Sequence, residues 1–286
     1  MPNLKEIRNR IASVSSTMQI TSAMKMVSAA KLKKAQDAIT AMRPYSDKLT
    51  ELIQNLSGSI DGDIPNPYTQ VRPAQKVLLV AITSNRGLCG GFNSSIIKAI
   101  QQHIQSHPQQ QIQLMTLGKK GHDILSKNAK IFDNNNQIFD ALNYTNASAL
   151  AQKCMDAFAD ETFDAVKIIY NRFKNAATQI VTTETLLPVV ADGAEKTSGG
   201  GDYIFEPNQE AIVTELLPKS IKMMLFKALR DSFASEHGAR MTAMHKATDN
   251  ATDLRDQLKL TYNKARQAAI TNEILEIVAG AEALSG

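Results

Sequence analysis

The feature that most constrains the fold is a long C-terminal stretch with almost no residue that interrupts a helix. After Pro218 the sequence contains no proline, and only Gly238 and Gly280 interrupt the stretch before its last residue. Proline and glycine are the residues least favoured inside a helix, so this composition predicts one continuous helix. About 75 helical residues at roughly 1.5 Å each span on the order of 110 Å. We therefore expect this helix to extend beyond any compact domain.

A second long helix is predicted at the N-terminus, where neither glycine nor proline occurs between Asn3 and Arg43. Apolar residues recur there at the heptad spacing of a coiled-coil seam, first as Leu4, Ile7, Ile11, Val14 and Met18, then as Leu32, Ala35, Ile39 and Met42. Between these two runs the seam positions hold residues that do not suit burial, namely Thr21, Lys25 and Ser28. A second stripe lies beside them and consists of Ile20, Met24 and Val27. The pattern leaves open a helix with two neighbours or a seam that shifts around a curved partner.

The block between the helices alternates strand-like and helical segments. The strand-like runs are residues 76–83, 111–118, 129–132, 164–171 and 179–188, and helices are predicted to begin at Ser94, Lys119 and Asn146. This alternation is typical of a mostly parallel sheet covered by helices. We therefore predict an α/β fold in which a long antiparallel α-helical coiled coil carries an inserted Rossmann-like α/β domain. The predicted N-terminal coiled-coil helix is 1–58, the inserted domain with its connectors is 59–207, and the C-terminal coiled-coil helix is 208–286.

The two predicted helices differ in length. The N-terminal one is shorter by about 20 residues, or about 30 Å at the helical rise. The C-terminal helix should therefore extend past its partner and carry an apolar stripe with it, formed by Ile270, Ile274, Ile277, Ala281 and Leu284. An apolar helix end without a partner indicates a binding surface.

A glycine-rich segment, RGLCGGFN, follows the first predicted strand and precedes a helix, which is where proteins often hold a phosphate. It lacks the lysine of a Walker loop, and its G-x-x-G-G spacing is not the G-x-G-x-x-G of a dinucleotide site. We therefore expect Gly87, Gly90 and Gly91 to form a structural turn with positive φ and close strand–helix packing. Two histidines, His103 and His107, have the spacing of a metal-binding pair, but without a third ligand we expect them to face solvent.

Two classes of function are to be weighed, a nucleotide-binding enzyme built on the α/β block and a nucleic-acid-binding coiled coil. Residues 1–58 carry 9 basic and 4 acidic side chains, which suits nucleic acid, an acidic membrane surface or an acidic protein. The low aromatic content of 5% and the modest charge excess argue against a nucleic-acid-binding coiled coil. The failed phosphate motifs argue against a nucleotide enzyme. Two cysteines in no disulfide or metal spacing, and the absence of a signal-peptide core or an apolar run of about 18 residues, predict a cytoplasmic location.

Four ordered stretches resemble one family, the gamma subunits of bacterial F-type ATP synthases. They are KEIRNRIASV, ITSAMKMVSAAKLKKAQ, RGLCGGFN and the long ARMTAMHKATDNA…LTYNKARQAAITNEILEIVAGAEAL. The resemblance implies a non-catalytic rotor shaft that couples proton-driven rotation of a membrane ring to ATP synthesis and takes part in regulating ATPase activity. It implies no catalytic residue, cofactor or metal in this chain. It also implies a peripheral protein on the cytoplasmic face of the bacterial inner membrane.

The resemblance also implies subunit contacts for individual residues. The partners are the alpha and beta subunits, the epsilon subunit and the membrane c-ring. Contacts with the stator are implied for Met24, for Arg266 and Gln267 as a polar catch, and for the segment from Ile277 to Leu284 as a tip in an apolar collar. Contacts of the foot with the ring and epsilon are implied for Lys31, Lys33, Lys34, Asp202 and Tyr203. Lys25 departs from the family pattern, because some relatives are expected to have an acidic residue there.

Overall fold

The structure is a computed structural model and describes residues 4–59, 67–189 and 209–285. Two long helices bracket the described sheet, and they are α1 (Leu4–Ser59) and α5 (Gln209–Ser285). The strands are β1 (Lys76–Ile82), β2 (Gln111–Leu117), β3 (Lys130–Asn135), β4 (Ala165–Phe173) and β5 (Gln179–Leu187). The helices between them are α2 (Phe92–Ser106), α3 (Lys119–Leu125) and α4 (Tyr144–Ala159), with a short 3₁₀ turn at Gln137–Phe139. The predicted α/β class, the bracketing helices and the five strands are therefore confirmed.

The five strands form one sheet in the order β3-β2-β1-β4-β5. The first four are parallel and are joined through helices, whereas β5 runs antiparallel to β4. A tight turn at Asn175 explains the reversal, since the Asn175 side-chain oxygen accepts hydrogen bonds from the backbone N–H groups of Ala177 and Thr178. The N-terminus of α4 differs slightly from the prediction. Its capping residue is Asn143, whose side chain accepts from the Asn146 N–H at 2.8 Å.

The chain divides into two compact units, an α/β unit of Ala29–Arg240 and a helical unit of Met1–Ser28 with Met241–Gly286. This division differs from the predicted three blocks because parts of both long helices belong to the core of the α/β unit. On one face of the sheet, α2 packs its isoleucines against β1 and β4. On the other, α4 and the first half of α5 share a core that includes Phe158, Tyr170, Leu225 and Leu229.

In the helical unit, α1 and α5 run antiparallel. Arg8 Nη2 donates to the Tyr262 hydroxyl at 2.7 Å, and the hydroxyls of Thr21 and Thr248 are 2.8 Å apart. The expectation that Thr21 and Ser28 do not suit burial is wrong, because both are buried. Small hydroxyl residues satisfy their own hydrogen bonds inside the seam, as when Ser28 Oγ donates to the Met24 carbonyl.

The other stripe of α1 remains outside this seam. Ile20 and Val27 are 60% and 57% exposed, whereas Met24 and Lys25 are half-buried. Within the helical unit, Ile20 and Val27 of the second stripe thus form an exposed apolar surface outside the seam that contains Thr21.

The C-terminal end of α5 extends past Leu4, the first described residue of α1, as the length difference predicts. Tyr262 contacts Arg8, and Leu4, where the described part of α1 begins, is one helical turn earlier. Because α5 continues to Ser285, about five turns, or roughly 30 Å, lie beyond this register. None of the described helices is long and apolar enough to cross a membrane.

Candidate functional site

The glycine-rich segment between β1 and α2 is a turn closed from within by Asn93. The Asn93 side-chain oxygen accepts from the Ser84 N–H at 3.0 Å, and its amide donates to Ser84 Oγ at 2.8 Å and to Cys89 Sγ at 3.3 Å. Two residues of the turn have a left-handed backbone conformation, Leu88 with φ 62° and Gly90 with φ 58°. Only the second has the residue type that such a conformation favours.

The other two glycines of the turn have ordinary backbone and open surroundings. Gly91 has φ −79°, and a side chain at Gly87 would meet only the end of Lys120 at 3.9 Å. Close approach occurs instead at Gly118 and Gly121, which the sequence reasoning missed. A Cβ on Gly118 would lie 2.2 Å from the Thr83 carbonyl oxygen, and one on Gly121 would lie 2.6 Å from Thr83 Oγ1. The available signal for Gly118 is a glycine at the last position of a predicted strand.

The turn presents carbonyl oxygens to a cation from α5. Arg240 Nη2 donates to the Arg86 carbonyl at 2.9 Å and to the Gly87 carbonyl at 3.3 Å, and Arg240 Nε donates to the Gly87 carbonyl at 3.4 Å. A phosphate loop works with the opposite polarity, since it directs N–H groups at an anion. This turn therefore serves as an acceptor site for a guanidinium.

Arg240 is also paired along its own helix. Its Nη1 lies 2.6 Å from Glu236 Oε1, and both side chains are about nine-tenths buried, with exposures of 9% and 10%. Burial raises the pKa of Glu236, and the Arg240 guanidinium and then Lys31 oppose that rise. We call the group formed by Glu236, Arg240 and the carbonyls of Arg86 and Gly87 the Arg240 anchor. Neither its arginine nor its glutamate was among the residues that the sequence singled out.

Apolar and polar contacts support the anchor on the turn side. Cys89, Phe92 and Ala239 form a small buried cluster between the turn and α5. The Phe92 carbonyl accepts from the Asn171 amide of β4 at 2.9 Å. Burial raises the pKa of the Cys89 thiol, which keeps it protonated as a packing residue. The turn is therefore tied to the two central strands as well as to α5.

The histidine pair at the C-terminal end of α2 is half-buried, so the expectation that it faces solvent is wrong. The rings of His103 and His107 stack with centroids 4.4 Å apart, and His107 Nδ1 lies 2.9 Å from the His103 carbonyl. Burial and the nearby Lys167 lower the pKa of His103. Within residues 4–59, 67–189 and 209–285, no group of three or more His, Cys, Asp or Glu side chains could hold a metal ion.

The residues implied as subunit contacts fall into two sets. Those implied for the stator lie in the helical unit, where Met24 is half-buried, Arg266 and Gln267 are exposed, and Ile277 is 71% exposed. Leu284 belongs to α5, and its side chain lies outside the described part. The lysines implied for the foot, Lys31, Lys33 and Lys34, are exposed on α1 within the α/β unit, and Lys33 pairs with Asp37 at 3.0 Å. Asp202 and Tyr203 lie outside the described residues.

Comparisons with known proteins agree over the whole chain. The family model for ATP synthase matches residues 3–284. The chain is 64% identical over 286 residues to the ATP synthase gamma chain of Flavobacterium psychrophilum, with 100% of both chains covered.

Two solved structures have the same fold. One is a chain from the central stalk and c-ring structure of the Tetrahymena thermophila mitochondrial ATP synthase, with a TM-score of 0.60, 28% identity and coverage of 80% of this chain and 99% of that one. The other is a chain of the Euglena gracilis mitochondrial ATP synthase, with a TM-score of 0.72, 21% identity and coverage of 98% and 94%. The chain belongs to the ATP synthase gamma chain family, and its role is that of the central stalk, a non-catalytic subunit of the ATP synthase complex.

Proposed function

We propose that this chain transmits torque between the proton-driven membrane c-ring and the alpha and beta subunits of the synthase. The observation that carries the proposal is the helical unit, in which two antiparallel helices pack along a buried seam and one of them continues alone. A helix pair joined by side-chain packing and hydrogen bonds resists bending and twisting better than a single helix does. Such a pair can turn inside a ring of catalytic subunits.

The end of α5 supports a bearing at the catalytic subunits. Its apolar side chains are strongly exposed, with Ile274 at 54%, Ile277 at 71% and Val278 at 48%. Soluble proteins rarely leave such a stripe open, so it suits a partner that surrounds it with apolar side chains. An apolar contact has no directional hydrogen bonds, so its two surfaces can slide past each other during rotation. Arg266 and Gln267, exposed just before this stripe, supply the polar contact that catches a catalytic-subunit loop.

The basic face of α1 supports the proposed contacts with the epsilon subunit and the c-ring. Lys31, Lys33 and Lys34 are exposed within one helical turn of each other. With Asp202 and Tyr203 they form the proposed foot, which meets the epsilon subunit and the c-ring. Through this foot the chain is held peripherally at the cytoplasmic face of the bacterial inner membrane. The regulation of ATPase activity is proposed to act through the same contacts.

Co-assembly tests the proposal. The chain is expressed with the alpha, beta and epsilon subunits of its own organism, and one tagged subunit is purified. We expect the four subunits in one complex whose ATPase activity depends on this chain. Recovery of an active alpha–beta complex that excludes the chain contradicts the proposal.

A further inference from the structure

We infer that the Arg240 anchor is the joint through which torque passes between α5 and the inserted α/β domain. The inference rests on the proposed torque-transmitting function and names the contact that performs it. Arg240 is the last residue of the α/β unit along α5, and the helix continues from there to Ser285. Among the described contacts of α5 with the glycine-rich turn, that of Arg240 is the nearest along the chain to the helical unit.

The geometry of the anchor suits a joint that resists twisting. Apolar packing holds the first part of α5 in the core of the domain through many contacts that are individually weak and non-directional. The anchor adds directional bonds to this packing. The guanidinium is a rigid planar fork, and here it donates from two nitrogens to two consecutive carbonyls. Rotation of α5 about its axis has to distort these bonds, which depend on both distance and angle. Glu236, one turn earlier, fixes the orientation of the fork from the helix side.

On the domain side, the carbonyls that receive Arg240 do not move freely. Ser84 Oγ donates to the Arg86 carbonyl at 2.7 Å and is itself held by Asn93. Ser84 follows β1, and the Phe92 carbonyl at the other end of the turn is held by Asn171 of β4. Since β1 and β4 are adjacent strands at the interior of the sheet, force on the turn reaches the most rigid part of the domain.

A purely stabilising role predicts something different. Replacing a buried ion pair by apolar side chains of similar volume is often neutral or stabilising. An anchor that only stabilises is therefore replaceable by Glu236→Leu with Arg240→Met, whereas a joint is not, because the directional bonds to the turn are lost. The same pair of changes at Glu215 and Lys219, an exposed ion pair with the same spacing on the same helix, provides the matched control.

The experiment measures rotation under load in the assembled complex. A bead is attached through Lys127→Cys, an exposed site in the α/β unit, and the buried Cys89 and Cys154 do not compete for the label. The alpha and beta subunits hydrolyse ATP and turn the bead against viscous drag. With Glu236→Leu/Arg240→Met we expect unchanged hydrolysis without load and a loaded slip rate raised about tenfold or more, the factor for losing a charge-assisted hydrogen bond. Arg240→Lys should slip as well, because an ammonium cannot span both carbonyls.

A cross-link separates the joint from a general weakening of the fold. Cys89 and Ala239 belong to one small buried cluster, so Ala239→Cys places a second thiol near Cys89 for oxidation to a disulfide between the turn and α5. In the Glu236→Leu/Arg240→Met background, copper phenanthroline should restore loaded rotation, and reduction should remove it again. Equal loaded rotation of wild type, the Glu236→Leu/Arg240→Met variant and Glu215→Leu/Lys219→Met contradicts the joint. A stationary bead on the wild-type complex contradicts the torque-transmitting function itself.

Discussion

The guanidinium of Arg240 lies 2.9 Å from the carbonyl oxygen of Arg86, so the glycine-rich turn holds a side chain of its own protein. A turn in this position between a strand and a helix is usually suspected of holding a phosphate. The turn presents carbonyl oxygens to Arg240, which is paired with the buried Glu236. The cluster around Cys89 packs beside them, and these contacts account for the glycine-rich sequence without a ligand. The turn connects the long helix of the stalk to the sheet.

Breaking the anchor on one side should cost more than removing it. Arg240→Ala leaves the Glu236 carboxylate buried without its partner, and we expect the free energy of unfolding to fall by about 3–5 kcal/mol. Glu236→Leu/Arg240→Met should change it by much less, since no uncompensated charge remains. Urea unfolding of the isolated chain measures both. A larger loss in the double variant than in Arg240→Ala would show that the pair is a stabilising contact in its own right.

Gly118 should tolerate substitution far less than Gly87. Gly118 has φ 112° and no room beside the Thr83 carbonyl, so Gly118→Ala combines backbone strain with a steric clash. We expect a loss of about 3 kcal/mol or more in the free energy of unfolding. Gly87 has open space around it and no positive φ, so Gly87→Ala should change the free energy of unfolding by no more than about 1 kcal/mol. Thermal unfolding of the two variants side by side decides it, and equal midpoints would contradict the geometry.

Two buried groups of α5 should give the stability of the chain opposite pH dependences. Burial raises the pKa of Asp231 from 3.8 to about 6, so between these values the folded protein keeps a proton that the unfolded chain has lost. Stability from this group falls as the pH rises through that window. Burial, followed by Arg240 and Lys31, lowers the pKa of His237 from 6.5 to about 4. Stability from this group falls as the pH falls through its window.

The two windows overlap between about pH 4 and 6, where each effect amounts to at most about 3 kcal/mol and they oppose one another. Asp231→Asn should therefore raise the free energy of unfolding at pH 7 and make the chain lose more of it on acidification than wild type does. His237→Gln should lose less of its free energy of unfolding on acidification than wild type does. Urea unfolding at pH 4.5 and pH 7 gives the comparison, and parallel profiles for all three proteins would refute both assignments.

The exposed end of α5 should be sensitive to charge and tolerant of shape. Ile277→Leu keeps the apolar surface, and we expect normal assembly with the alpha and beta subunits. Ile277→Glu places a carboxylate in the proposed collar at a cost of several kcal/mol, so assembly should weaken or become favoured at low pH. Arg266→Ala should reduce turnover and leave the yield of complex unchanged. If Ile277→Glu assembles as well as Ile277→Leu, the end of α5 does not sit in an apolar site.

Local sequence patterns predicted the helices and strands, whereas contacts between segments distant in the sequence could not be predicted from them. The scarcity of glycine and proline predicted α1 and α5, and alternating apolar runs predicted all five strands. The seam through Thr21 was missed because hydropathy treats a hydroxyl as unsuited to burial. In the structure its hydrogen bond to Thr248 lies inside a tight helix pair.

The Arg240 anchor was missed for a related reason. In the sequence Arg240 is one charge in a helix of small residues, and a charged residue is normally read as exposed. Its burial depends on carbonyls more than 150 residues away along the chain. Its partners on the turn are backbone carbonyl groups, and a backbone carbonyl is present whatever the residue type. Gly118 was not recognised from the sequence because its constraint comes from Thr83, the residue directly after the neighbouring strand β1.

Direct observation of rotation tests the account most completely. The alpha and beta subunits are fixed to a surface, a bead is attached to the chain through Lys127→Cys, and ATP is supplied. We expect continuous rotation of the bead in one direction, at a rate that follows ATP hydrolysis, and we expect the rotation to stop when ATP is exhausted. A complex that hydrolyses ATP at full rate while the bead stays still would contradict it.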